Sequence, residues 1–297
     1  MSSTAVPSPP TKAQIFAKRL TSTVILWGLV GTAIALGTPW LWILISGFLG
    51  LSAAREWFKM DPSLPAPFRI VGLASAAGWL GVVFTWCWTQ GRDWPAELDL
   101  VGAVVACIVV WWPVFFHPLA GRETLWAVVY SIAGFFYITW LWSFTARVLF
   151  MYGITDDHRL AGMPFLVFAI AATKFTDCGA YAVGSLIGRH KMIPHISPGK
   201  TWEGLGGAYL GALVAGMGVF YLYGEQLAPL TTGHAVILCL IIATLCVAGD
   251  LAESVVKRCL GVKDSGAMLP GIGGAFDLID SLLWTVPVFY FYVKYVC

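Results

Sequence analysis

The chain has very little charge. Only 11% of its 297 residues are Asp, Glu, Lys or Arg, against about 25% in an ordinary soluble domain. With 58% hydrophobic residues and a mean hydropathy of +0.78, this excludes a soluble globular protein. The net charge of +2 is too small to argue for a nucleic-acid partner. There is no CxxC pair. The seven cysteines, at 87, 107, 178, 239, 246, 259 and 297, are dispersed and read as small buried hydrophobes, not a disulfide framework. No internal repeat recurs at a fixed period, so a pseudo-symmetric transporter gains no support. A phosphate-binding GxxxxGK[ST] loop is also missing, because Pro194 stands where its first glycine would precede Gly199.

What is present is a series of apolar runs about as long as a bilayer span. They predict an all-α, polytopic integral membrane protein with nine helical spans, roughly 20–37, 39–54, 69–88, 99–116, 125–149, 163–186, 203–223, 234–252 and 279–296, with eight or ten as competing counts. Residues 1–19, with Pro7, Pro9 and Pro10, read as a disordered cytoplasmic tail, 20–150 as N-terminal helices and 151–297 as the catalytic region. Lys18 and Arg19 before an apolar run imitate a signal peptide. No small-residue cleavage site follows, so the run reads as a retained span. With the N-terminus inside, thirteen of the eighteen Lys and Arg fall on the inner side and four (Arg92, Arg147, Arg159, Lys294) on the outer, with Lys174 inside a span. Both charged, glycine-bearing connections, 187–202 and 253–278, then face the cytoplasm. A bacterial inner membrane is the expected location. Trp40, Trp42, Trp86, Trp88, Trp94, Trp111, Trp112 and Trp126 read as interfacial anchors.

Four constellations carry possible chemistry. Lys174, Asp177, Tyr181 and Gly184 share one helical stripe inside the sixth span. A charge there costs about 2.5–3.5 kcal/mol on insertion scales, so two on one face call for a partner or a cavity. The merely structural alternative is a Lys174–Asp177 pair. Second, in RHKMIPHISPGKTWEG, Ser197 and Gly199 permit a tight turn before Lys200, with Thr201 as N-cap and Glu203 in the first turn of the next span; Lys200 and nearby backbone N–H groups could hold phosphate. Third, Asp250, Glu253 (or Ser254) and Lys257 share a helical face ahead of Arg258, where a carboxylate suits a hard cation such as Mg²⁺. Fourth, in PGIGGAFDLID, Gly273 and Gly274 allow close backbone approach, and Asp277 and Asp280 open the last helix on one side, placed to share a Mg²⁺.

At these residues the chain resembles the phosphatidate cytidylyltransferase (CDP-diglyceride synthase) family. The signature S-x-x-K-R-x4-K-D-x-G-x2-L-P-x-H-G-G-x-x-D-R-x-D is matched by Ser254, Lys257, Arg258, Lys263, Asp264, Gly266, Leu269, Pro270, Gly273, Gly274, Asp277 and Asp280. The segments KFTDCGAY and SPGKTWEG resemble the family's as well. The specific likeness covers roughly 160–297. Two departures are Ile272 for the family's His and Leu278 for its Arg; Ala275 replaces a larger aliphatic residue.

The resemblance implies a Mg²⁺-dependent reaction of CTP with phosphatidic acid, possible use of a second monovalent or divalent cation, and a homodimer. It implies Asp250 and Asp277 as metal ligands, with Asp177 and Asp280 beside them. Lys200, Arg258 and Lys263 would hold CTP phosphates, with Ser197, Thr201, Lys257, Gly273 and Gly274 around them. Lys174 would hold the lipid phosphate, and Asp264 would stand among the catalytic groups. A CTP-dependent polyprenol-type lipid kinase, an inactive paralogue and an anion transporter are the competing readings. A CDP-alcohol phosphotransferase is excluded, since DGxxAR followed by GxxxD is missing.

Overall fold

The computed structural model describes residues 12–116, 118, 120–155, 159–268 and 273–297. Tail residues 1–11, Asp156, Asp157 and His158, and Leu269, Pro270, Gly271 and Ile272 of the signature lie outside them. The elements run α1 (Lys12–Leu36), α2 (Pro39–Met60), α3 (Ala66–Gln90), α4 (Glu97–Val110), α5 (Arg122–Gly134), α6 (Leu141–Phe150), α7 (Met163–Ile187), β1 (Lys191–Ile193), β2 (Ser197–Thr201), α8 (Trp202–Tyr223), α9 (Thr232–Cys259) and α10 (Ala275–Tyr295).

Every expected span falls on a helix, with shifted ends. In lipid each backbone N–H and C=O must be satisfied internally, and continuous helix does this. Among the described residues, seven helical stretches are long and apolar enough to cross a membrane: 66–90, 97–115, 122–150, 163–187, 202–227, 232–259 and 275–295. The nine-span count is therefore not reproduced. The last turns of α2 carry Arg55, Glu56 and Lys59, and α2 is not among the seven. α1 already runs at Lys12, the first described residue and ahead of the expected span, and no Pro or Gly falls in residues 12–19 to break it.

Local chemistry sets several boundaries. Thr201 caps α8 by accepting from Gly204 N (3.1 Å), as its sequence position predicts. Pro113 converts the end of the fourth span into a 3₁₀ turn, Trp112–Phe115. A π segment, Phe135–Trp140, joins α5 to α6 into one rod. SPGKT is a strand rather than a tight turn. β1 and β2 pair antiparallel (Lys191 with Thr201, Ile193 with Ser197), and the reversal falls at Pro194–Ile196.

α10 is the most buried of the seven spans and packs against α9, α6, α2 and α7. α7 and α8 approach closely because Gly179, Gly207 and Gly211 face the opposing backbone, where a Cβ would overlap main-chain atoms. Trp40, Trp88, Trp111 and Trp112 are exposed, as the anchor reading requires. Trp42 and Trp94 are instead buried, and Trp94 packs edge-on to Trp79 and Trp86. Trp126 donates to Asp61 Oδ2 (2.7 Å). One end of the bundle is tied by the Arg147–Asp99 ion pair (2.5 Å) and by Lys294–Asp93 (2.7 Å). The other end carries the hairpin and the connection from α9 to α10.

Candidate active site

A cavity of about 720 Å³ opens among α7, the hairpin, α9 and the start of α10. The whole predicted α7 stripe lines it: Lys174, Asp177, Tyr181 and Gly184. Lys174 and Asp177 do not pair with each other. Lys174 Nζ donates to Leu278 O (2.7 Å), and Asp177 Oδ1 accepts from Cys246 Sγ (3.2 Å). The hairpin brings Ser197, Lys200 and Thr201 to the facing wall. Lys200 Nζ lies 2.8 Å from Asp250 Oδ2 and donates to Val247 O (3.2 Å), which fixes β2 to α9.

α9 continues to Cys259, past the expected end of its span. Asp250, Glu253 and Lys257 therefore sit on successive turns of one face. Lys257 Nζ bridges Glu253 Oε2 (2.7 Å) and Asp277 Oδ1 (3.0 Å). Asp250, Glu253 and Asp280 each present an oxygen within 4.8 Å of the others. Asp280 Oδ1 accepts from Ser281 N (2.6 Å). Glu253 is 2% exposed, and its Oε1 has no hydrogen-bond partner. A buried carboxylate oxygen without a donor is costly. Three converging carboxylates with such an orphan oxygen fit a hard divalent cation such as Mg²⁺.

Asp277 plays a different part from the one its spacing suggests. Its oxygens accept from Lys257 Nζ, from Ser265 N (3.2 Å to each oxygen) and from Gly274 N (2.7 Å). It is the N3 residue of α10, and its carboxylate closes the first turn. Gly273 has φ +132, and a Cβ on it would overlap the Asp277 carboxylate. Gly273 and Gly274 do not line the cavity; their close approach is to Asp277 rather than to a ligand. Asp264 lines the cavity, whereas Arg258 and Lys263 are exposed outside it. Of the departures, Ile272 is outside the described residues. Leu278 turns its side chain to an apolar cavity and its carbonyl to Lys174.

Sequence reasoning missed Glu56. From the end of α2 its Oε2 accepts from Ser265 Oγ (3.0 Å) and Phe276 N (2.9 Å). Its only signal was an acid inside SAAREWFKM that, between Arg55 and Lys59, reads as an interfacial charge.

The apolar cavity, about 300 Å³, lies among α1, α2, α6, α7 and α10. Trp27, Trp42, Trp142, Ile170 and Leu282 wall it, and at one end it is lined by the same Lys174 and Asp177 that line the polar cavity. A charged chamber and a greasy one thus share two ionisable side chains.

Residues 17–296 match the model of the cytidylyltransferase family, and the chain belongs to that family. It is 30% identical over 301 residues to the phosphatidate cytidylyltransferase of Haemophilus influenzae, covering 93% of this chain and 98% of that one. It is 36% identical over 193 residues to the uncharacterised protein YnbB of Escherichia coli (61% and 63%). The phosphatidate cytidylyltransferase of Bacillus subtilis is 39% identical over 130 residues (44% and 47%).

Proposed function

We propose that this membrane-embedded cytidylyltransferase moves CMP from CTP to phosphatidic acid, forming CDP-diacylglycerol and pyrophosphate, at the cytoplasmic face of a bacterial inner membrane. The observation that carries the reading is the meeting of a polar and an apolar cavity at Lys174 and Asp177. A substrate with a phosphate head and acyl tails needs such a junction; a soluble nucleotide alone would not. The 30% identity to the Haemophilus influenzae enzyme over nearly its full length supports the same choice.

An ammonium offers three donors. Lys174 spends one on Leu278 O, and Lys200 spends two on Asp250 and Val247 O. Their remaining donors are available to phosphate oxygens, Lys174 on the lipid side and Lys200 on the nucleotide side. Lys257 spends two on Glu253 and Asp277, and one is left. Arg258 and Lys263 stand outside the cavity, so the phosphate contacts fall to the four lysines that line it, Lys174, Lys191, Lys200 and Lys257. Asp250, Glu253 and Asp280 would hold Mg²⁺, with Asp177 on the facing wall available to a second cation. Bound there, Mg²⁺ would neutralise phosphate charge as it builds.

An oxygen of the lipid phosphate attacks the α-phosphorus of CTP in line. The bond from that phosphorus to the β-phosphate oxygen breaks, and pyrophosphate leaves. No strong base is required, since a phosphate monoester with a second pKa of about 6 is ionised at pH 7. The residues contribute position and charge neutralisation.

The test is turnover in detergent with labelled CTP, phosphatidic acid and Mg²⁺. Lipid-linked CMP and pyrophosphate should appear together and vanish with a chelator. CDP formed with a lipid alcohol would replace the reading with a lipid kinase; no product with either lipid would remove it.

A further inference from the structure

α2 brings a carboxylate to the foot of the site from more than 200 residues away in sequence. Glu56 is 9% exposed, and its Oε2 takes two hydrogen bonds, from Ser265 Oγ at 3.0 Å and from Phe276 N at 2.9 Å. Phe276 N is one of the first N–H groups of α10, which has no partner inside its own helix. Glu56 therefore caps α10 from another helix, at the end where the macrodipole favours negative charge. Ser265 extends the arrangement: its backbone N–H goes to Asp277, and its Oγ accepts from Asp277 N (3.4 Å) while donating to Glu56. Gly266 and Gly274 lie so close that a Cβ on either would overlap the Glu56 carboxylate. The backbone there fits around that group.

We propose that Glu56 is a positioning residue for catalysis: it locks the α9–α10 connection onto the start of α10, and so sets Asp277, Lys257 and Glu253. Glu56 does not line the cavity and would touch neither substrate. Its influence passes along a short chain, from Glu56 to Ser265 and Phe276, then to Asp277, then through Lys257 to Glu253. The inference rests on the cytidylyltransferase reading for its catalytic half only; its structural half stands without it.

The experiment compares full-length wild type with Glu56→Ala, Glu56→Gln and Gly266→Ala in detergent. It reads hydrogen–deuterium exchange in peptides covering Gly261–Asp280 alongside steady-state kinetics. Both hydrogen bonds converge on one oxygen, so Gln can keep them, and Glu56→Gln should stay within a few-fold of wild type in both readouts. Glu56→Ala should speed exchange at Phe276 about 10–100-fold, the expected effect of losing a hydrogen bond to a charged acceptor. It should lower kcat about 10–100-fold, as loss of a supporting contact around a metal-type site does. KM for the lipid should hold, because the apolar cavity is untouched. Gly266→Ala, which drives a methyl into the carboxylate, should reproduce both effects, and should add little on the Glu56→Ala background; it also serves if Glu56→Ala does not fold. Unchanged exchange and kcat in folded Glu56→Ala, or a Glu56→Gln protein as damaged as Glu56→Ala, overturns the proposal. A wild type without cytidylyl transfer refutes the functional reading, and the exchange comparison still decides the lock.

Discussion

Replacing Lys257 by Met is the most direct probe of how the site holds its charge. The Met side chain keeps the apolar stem and deletes the ammonium. It leaves two carboxylates, Glu253 and Asp277, without the cation that lies 2.7 and 3.0 Å from them. Glu253 is 2% exposed and Asp277 12%, so water replaces little of what is lost. Breaking a buried pair by removing one partner costs about 3–5 kcal/mol, because a charge stays behind unpaired. The cavity admits solvent on one side, which argues for the lower end, about 3 kcal/mol. At about 2–4 °C per kcal/mol for chains of 150–250 residues, the midpoint of thermal unfolding in detergent should fall by about 6–12 °C. A double-mutant cycle supplies the control. With Glu253→Gln already present, one of the two stranded charges is gone. The further loss on Lys257→Met should then shrink, leaving a coupling of about 0.5–3 kcal/mol. The assay is a tryptophan-fluorescence melt of the four proteins at one detergent concentration. A drop under about 2 °C, or the same drop with and without Glu253, would refute the argument that Lys257 neutralises this buried pair.

Four further outcomes follow. Glu253→Gln should weaken binding of the probe ion Mn²⁺, followed by its paramagnetic resonance, by at least about tenfold, since it removes a charged ligand from the Asp250–Glu253–Asp280 cluster. Lys200→Met should lower kcat about 10²–10³-fold, the usual scale for losing one preorganised charge or donor at a transition state, while Tm moves less than with Lys257→Met, because Lys200 and Asp250 are the more exposed pair. Ile170→Trp should crowd the 300 Å³ apolar cavity and raise KM for phosphatidic acid about tenfold, some 1.4 kcal/mol, with KM for CTP unchanged; an equal rise in both would break the assignment of that cavity to the lipid. Asp61 carries a pH signature. Burial pushes its carboxyl up, but hydrogen bonds from Ser63 and Trp126 and the Arg69 charge outweigh this and hold it below its ordinary value of 3.8. A depressed pKa means the folded state binds the proton less tightly, so its stabilisation is complete above pH 3.8 and is lost as pH falls through the folded value. The stability gap between wild type and Asp61→Asn should close over that acidic range, and a gap constant down to the most acidic pH would contradict it.

The cations and acids inside apolar runs were readable because a bilayer makes them expensive. Lys174 and Asp177 were visible on one stripe for that reason, and the structure puts both in the cavity. Asp250, Lys257 and Asp280 were visible by helical spacing near span ends. The same spacing gave Asp277 a ligand's place. Its saturation by Lys257, Ser265 N and Gly274 N depends on how the connection folds back, which no periodicity records. SPGKT looked like a turn because Pro and Gly dominate it; pairing with Lys191–Ile193 makes it a strand. Trp42 had the composition of an interfacial anchor, yet only tertiary packing turns it inward to wall the apolar cavity. Glu56 was hidden most deeply, since at a polar span end an acid looks ordinary, and its partners lie 209 and 220 residues onward.

That separation has a consequence for biosynthesis. A ribosome delivers Glu56 220 residues before Phe276. Until then the acid at the foot of α2 has no N–H to receive, α10 does not exist, and Asp277 and Asp280 are missing from the chamber. The earlier helices can enter the bilayer while the chemistry is still unwritten. The site is completed only when α10 threads beside α2, α6, α7 and α9 and its first turn reaches the waiting carboxylate. A chain that stops short of α10 thus presents membrane helices around a polar cavity that lacks Asp277 and Asp280.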